Sequence, residues 1–190
     1  IKFSDIISAQ NTLRGIAKVT TLLHSKSFST MSNANIFLKL ENMQTTGAFK
    51  VRGAYNKLAN LTKEEAERGV VAASAGNHAQ GVALGAQYNG IKSLICLPEG
   101  APISKVEATR RYGAEICLVP GVYDDAYQRA IELRDEKGYT FVHPFDDENV
   151  IAGQGTIGLE LLEQLPDVDT VIVPIGGGGL ASGIAFAIKQ

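Results

Sequence analysis

From about residue 36 onward, short apolar β-type runs alternate with amphipathic helical runs, and this alternation constrains the fold more than any other property of the chain. The runs 36–40, 69–73, 93–97, 115–119, 139–142 and 170–175 predict strands, and 51–60, 77–88, 102–112, 123–137, 155–164 and 180–189 predict helices. The strand runs are near-continuously apolar. A strand reads that way when helices cover both faces of a parallel sheet. Asn89-Gly90, Gly113 and Gly138 each follow a helical run as C-terminal stops. The expectation is an α/β fold with parallel sheets in three layers. Residues 1–35 are less regular. Residues 24–33 read as a polar, solvated loop whose Lys26 is open to an effector or a partner subunit.

Composition narrows the partners. Net charge is -2, with charged residues at 20% and evenly interspersed, which argues against nucleic acid or a membrane surface. No apolar run approaches a membrane span, and no signal peptide is visible. Cys96 and Cys117 lie inside apolar runs at a spacing that fits no metal site, so they read as buried, reduced strand residues of a cytoplasmic protein. The chain starts at Ile1 and stops inside an apolar helical run at Gln190, as expected of a piece of a longer polypeptide.

The chemistry starts at Lys50, in Thr45-Thr46-Gly47-Ala48-Phe49-Lys50-Val51-Arg52-Gly53. The strand-like Ile36-Phe37-Leu38-Lys39-Leu40 leads towards it and a helical run leaves it. A lysine at a helix N-terminus meets the positive end of the dipole, and Arg52 is expected to add a like charge. Both favour the neutral, nucleophilic amine, and the chemistry such an amine offers is a Schiff base.

Three further segments stand out. Gly176-Gly177-Gly178-Gly179 follows the apolar run Thr170-Val171-Ile172-Val173-Pro174-Ile175, and Leu180 opens a helix. Four glycines exceed what a turn needs and suit close backbone approach to a phosphate at a helix N-terminus. Ser74-Ala75-Gly76-Asn77-His78 also joins a strand to a helix, so it offers either donors for a carboxylate or an ordinary N-cap. Gly153-Gln154-Gly155-Thr156-Ile157-Gly158 matches G-x-G-x-x-G, but no strand precedes it, so close helix–sheet packing is the expected role.

Taken together, Leu40 to Ala54, Ser74 to Gln80 and Pro174 to Leu180 resemble the fold type II pyridoxal-phosphate enzymes, in particular the threonine dehydratase and serine racemase branch. The resemblance runs the length of the chain. It implies two lobes, a cofactor-holding one from 1–68 and 147–190, incomplete here, and a smaller one from 69–146 that closes over substrate. It implies that Lys50 holds pyridoxal 5'-phosphate as a Schiff base and that Phe49 seats the ring. Asn77 would bond the phenolic oxygen, and Gly176, Gly177, Gly178, Gly179 and Leu180 would bind the phosphate. Ser74, Ala75, Gly76, Asn77 and His78 would clasp the carboxylate of a small hydroxy amino acid. The implied reaction is β-elimination of threonine to 2-oxobutanoate and ammonia, or of serine to pyruvate.

Racemases of this branch resemble Ser-Ser-Gly-Asn-His. This chain has Ala75 at the second position, which carries no exchangeable proton, and His143-Pro144-Phe145-Asp146-Asp147 is dehydratase-like. The family's Thr-Pro-Leu is Thr20-Thr21-Leu22 here, and the partner of the pyridine nitrogen falls beyond Gln190, so the 190-residue piece alone is expected to be inactive or nearly so. The resemblance also implies a homo-oligomer. It further implies an allosteric effector, nucleotide or branched-chain amino acid, according to a catabolic or isoleucine-biosynthetic role. Two competing readings are a dinucleotide-dependent enzyme using Gly153 to Gly158 and a non-catalytic ligand sensor.

Overall fold

The computed structural model describes residues 1–74 and 76–190. Its centre is a four-stranded sheet in the order β5 (Glu115–Val119), β4 (Ser93–Pro98), β3 (Val70–Ala73), β6 (Thr140–Phe141). All three pairings are parallel. Each crossover contains a helix: α5 (Asn77–Asn89), α6 (Ile103–Arg111) and α7 (Tyr123–Lys137). The two-residue pleat sorts the side chains. Val70 and Ala72, with Ile95 and Leu97, face a core completed by Ala79, Val82 and Ala83 of α5. Val71 and Ala73, with Leu94 and Cys96, face Ala126, Ala130 and Leu133 of α7. Every residue of β3 is fully buried, which is why its sequence is apolar throughout.

Gly90, Gly113 and Gly138 all carry positive φ after their helices, where an L side chain would be strained. That part of the pattern is as expected. The N-terminal third is more structured than its sequence suggests. It contains α1 (Phe3–Thr12), an antiparallel pair of β1 (Leu22–His24) with β2 (Phe37–Lys39), and α2 (Lys26–Ser32), where a loop was expected. The Ser25 hydroxyl caps α2 by accepting from Phe28 N, and Asn33 ends it in the left-handed region. β2 falls within the strand expected over 36–40; the other short elements have no periodicity to announce them. A short helix, α4 (Lys63–Arg68), also precedes β3 and carries a Thr62–Glu65 capping box.

Two expectations are corrected. Residues 170–175 form no strand, because no described strand lies alongside to complete a ladder. Val171 and Val173 pack inward while Ile172 and Ile175 remain 88% and 74% exposed. The helix expected over 155–164 is α8, Glu148–Gln164, so Gly153 to Gly158 lie inside it. There they serve helix–helix rather than helix–sheet packing. A Cβ at Gly153 would come within 2.6 Å of the Arg52 carbonyl on α3 (Lys50–Ala59). One at Gly155 would come within 3.0 Å of the Gly183 carbonyl on α9 (Gly179–Ile188). Buried backbone in mid-helix has no free N–H to offer a dinucleotide, so that reading of the motif fails.

Candidate active site

Helix α3 carries Lys50, the candidate nucleophile, at its start. It is wedged between α5 and α8, and glycines on both neighbours allow close approach. A Cβ at Gly81 would lie 3.1 Å from the Lys50 carbonyl, and Gly53 N donates to Gln154 Oε1 at 3.2 Å. Lys50 is the first residue of α3. It lines a cleft of about 240 Å³ with Phe49, Pro144, Phe145, Gln154, Pro174, Gly176 to Gly179 and Leu180. The Lys50 Nζ donates to the Pro144 carbonyl at 2.6 Å and sits 5.5 Å from the Phe49 ring centroid. Burial holds the amine below the usual lysine range.

The direction is the expected one, but the cause differs. Arg52 is not a free like charge. Its guanidinium is buried and paired with Glu41 Oε1 at 2.8 Å and Glu160 Oε1 at 2.6 Å, and it donates to Thr156 Oγ1 and the Lys18 carbonyl. Lys39 meets Glu160 at 2.5 Å. Two cations therefore balance two carboxylates. The network ties α3 to α8 and to the turn at Glu41–Met43, and it adds no repulsion at Lys50.

Across the cleft, Gly178 is the N-cap of α9 with φ 88°, a conformation open to glycine. The Phe145 ring lies against Gly177, and a Cβ at Gly179 would come within 2.5 Å of the Phe145 carbonyl. Side chains are excluded at Gly177 and Gly179, and a helix start of this kind can receive an anion on its free backbone N–H groups.

The second donor segment is arranged differently. Ser74 Oγ accepts from Gly76 N at 3.2 Å, and Asn77 Oδ1 accepts from Lys105 Nζ at 3.2 Å. His78 is fully enclosed and its Nε2 bonds the Val142 carbonyl at 2.9 Å. Its Nδ1 has no protein partner among the described residues. The ring is pushed down to about 4, chiefly by burial, against a raising effect of the Val142 bond. Asn77 and His78 do not line the cleft with Lys50, and Ala75 lies outside the described residues.

Sequence reasoning assigned no role to Pro144 and Phe145. His143 Nδ1 accepts from Asp146 N at 2.7 Å and Phe145 N at 3.3 Å, folding 143–146 into a tight turn that sets them beside Lys50 and the glycines. Burial lowers His143, and Asp146 and Asp147 work against it. The only sequence signal was the His-Pro pair ahead of two acidic residues.

A half-buried lysine and a helix-terminal glycine turn facing one cleft define a class. The pairing suits proteins that hold an anionic aldehyde cofactor by an imine at one end and its phosphate at the other. The chain belongs to the pyridoxal-phosphate dependent enzyme family, whose model matches residues 13–190. It is 54% identical to L-threonine ammonia-lyase of Thermotoga maritima over 190 residues, all of this chain and 47% of that protein. It is 52% identical to the catabolic L-threonine dehydratase TdcB of Escherichia coli K12, again over all of this chain and 58% of the relative. Among solved structures, the processed threonine deaminase isoform 2 of Solanum lycopersicum superposes with a TM-score of 0.94 at 40% identity, covering 99% of this chain and 51% of its own. Maize serine racemase superposes at 0.95 and 41% identity, covering 99% and 57%. The chain spans about half the length of the curated relatives it matches.

Proposed function

We propose that the protein containing this chain is a pyridoxal-phosphate dependent threonine ammonia-lyase, converting L-threonine to 2-oxobutanoate and ammonia and also acting on L-serine to give pyruvate. The observation that carries the reading is the shared cleft: the Lys50 amine and the anion-binding turn Gly176 to Gly179 face each other across it. The relatives named above support the choice of threonine.

Lys50, Phe49, Gly176 to Gly179 and Leu180 would hold the cofactor. Asn77, and Ser74 to His78 for the substrate carboxylate, would join them when the 69–146 domain closes; Ser74, Gly76, Asn77 and His78 do not line the cleft as it stands. Bound there, pyridoxal phosphate supplies an electron sink conjugated to the substrate's α-carbon. The chain supplies the rest. Desolvation lowers the Lys50 amine, which favours the neutral form that takes the α-proton. The Pro144 carbonyl receives the amine's N–H when it is idle. The β-hydroxyl leaves, and hydrolysis of the enamine product gives the 2-oxoacid and ammonia. Ala75 has no proton to deliver to the opposite face of the α-carbon, which favours elimination over racemisation.

We assign residues 1–68 and 147–190 to the cofactor-holding domain and 69–146, which contains the whole parallel sheet, to the closing domain. None of the described helices is long and apolar enough to cross a membrane. A cytoplasmic homo-oligomer under control of a nucleotide or branched-chain amino acid, in threonine catabolism or isoleucine synthesis, is the biological setting we propose.

The test is made on the full-length protein. It is expected to be yellow, to be fixed by borohydride at Lys50, and to release ammonia and 2-oxobutanoate from threonine. A colourless protein that binds no pyridoxal phosphate, or a coloured one that only inverts serine, would overturn the reading.

A further inference from the structure

Cys96 and Cys117 are registered partners on β4 and β5 of the parallel ladder. Registered neighbours point to the same face of a sheet, and both cysteines pack beneath α7 with Ala126 and Ala130. Both thiols are free. Cys96 is 0% exposed, whereas Cys117 is only partly covered. Neighbouring strands lie roughly 4.8 Å apart. That falls inside the Cα separation of about 4.4–6.8 Å that a disulfide spans. Because β5 is an edge strand bonded to β4 alone among the described residues, the small shift that draws the two Cβ atoms together disturbs no second ladder there.

We propose that Cys96 and Cys117 form a redox modification site, which a peroxide-class oxidant closes into a reversible disulfide across β4 and β5. The partly exposed Cys117 meets the oxidant. Its sulfur attacks one peroxide oxygen, the O–O bond breaks, and hydroxide leaves to become water, leaving a sulfenic acid. The Cys96 sulfur then attacks the Cys117 sulfur. The S–S bond forms, the S–O bond breaks, and the second water carries away the Cys96 proton. The two sulfurs together lose two electrons, and one peroxide becomes two waters.

The order of events follows from the surroundings. Burial, reinforced by the adjacent Cys117 thiol and opposed by Arg129, pushes Cys96 up to about 12, so Cys96 is a poor first nucleophile and its proton must leave as it attacks the Cys117 sulfur. A bond between adjacent strands strains the ladder, so reducing thiols open it readily, as expected of a regulatory rather than a structural disulfide. None of this depends on the proposed lyase activity.

The experiment treats the full-length holoenzyme with one equivalent of hydrogen peroxide and maps its peptides. The expected product is a cross-linked pair containing Cys96 and Cys117, lighter by one hydrogen molecule and restored by dithiothreitol. With Cys117→Ser, Cys96 is expected to stay fully alkylatable after unfolding. Should that variant fail to fold, differential alkylation of the unsubstituted protein decides alone. Oxygen accumulating on Cys117 while Cys96 remains alkylatable, or Cys117 linking two chains, would overturn the proposal.

Discussion

At the scale of single residues, one amine and one buried arginine carry the argument. Lys50 is depressed by loss of water, with its N–H on the Pro144 carbonyl. Lys50→Ala in the full-length protein is expected to remove the borohydride-fixed adduct and to lower threonine turnover by at least about 10²–10⁴-fold, the usual weight of a positioned acid–base group. Retained fixation would place the imine elsewhere. Arg52 acts through structure. Arg52→Met leaves Glu41 and Glu160 buried beside a single Lys39, and breaking such a pair costs about 3–5 kcal/mol. Urea unfolding measures it; a loss below about 1 kcal/mol, the value of an exposed pair, would mean the network is solvated. His78 supplies a pH dependence. Its folded value of about 4 lies below the ordinary 6.5, so between those limits the unfolded chain binds a proton that the folded chain refuses. Stability therefore falls as pH falls through that window, by up to about 3 kcal/mol from this ring, and lowered His143 acts in the same direction. His78→Gln is expected to flatten part of the slope of urea midpoint against pH. An unchanged slope would show that His78 does not titrate differently on folding.

At the scale of elements, helix contacts at glycine decide where the lysine points. Helix α3 can lie against both α5 and α8 because Gly81 and Gly153 present no side chain. Gly153→Ala would drive a methyl into the Arg52 carbonyl and Gly53 Cα, at 2.6 and 2.7 Å. We expect about 1–3 kcal/mol of destabilisation from that overpacking, even though alanine is the better helix former by about 1 kcal/mol. A thermal melt measures the sum, and a gain in melting temperature would show that α3 and α8 can separate freely. These contacts also explain why the G-x-G-x-x-G pattern misleads: a string cannot distinguish a glycine that faces a phosphate from one that faces another helix.

At the scale of the whole molecule, order is set by how many neighbours each segment has. β3 lies between β4 and β6 with helices over both faces, whereas residues 170–178 have no ladder among the described residues. Amide exchange of this chain is expected to be slowest in β3, β4 and α5 and fastest in 170–178, because a segment opens as easily as its contacts allow. Protection at Val171 to Ile175 equal to that of β3 would contradict the arrangement described here.

Several features were legible in the sequence because their causes are local. The apolar runs and glycine stops set the strands and helices of residues 69–142. Lys50 at a helix start and four glycines ahead of Leu180 marked both ends of the cleft, since helix termini and backbone conformation depend on neighbours in the chain. Other features rest on residues far apart and only tertiary structure decided them. Glu41 and Glu160 neutralise Arg52 across 11 and 108 positions, which turned an expected repulsion into a strut. Pro144 reaches Lys50 across 94 positions. Residues 170–175 have the composition of a strand without a neighbour to make them one. Charge pairing, desolvation and strand pairing are sums over spatial neighbours, and a linear sequence does not state who those neighbours are.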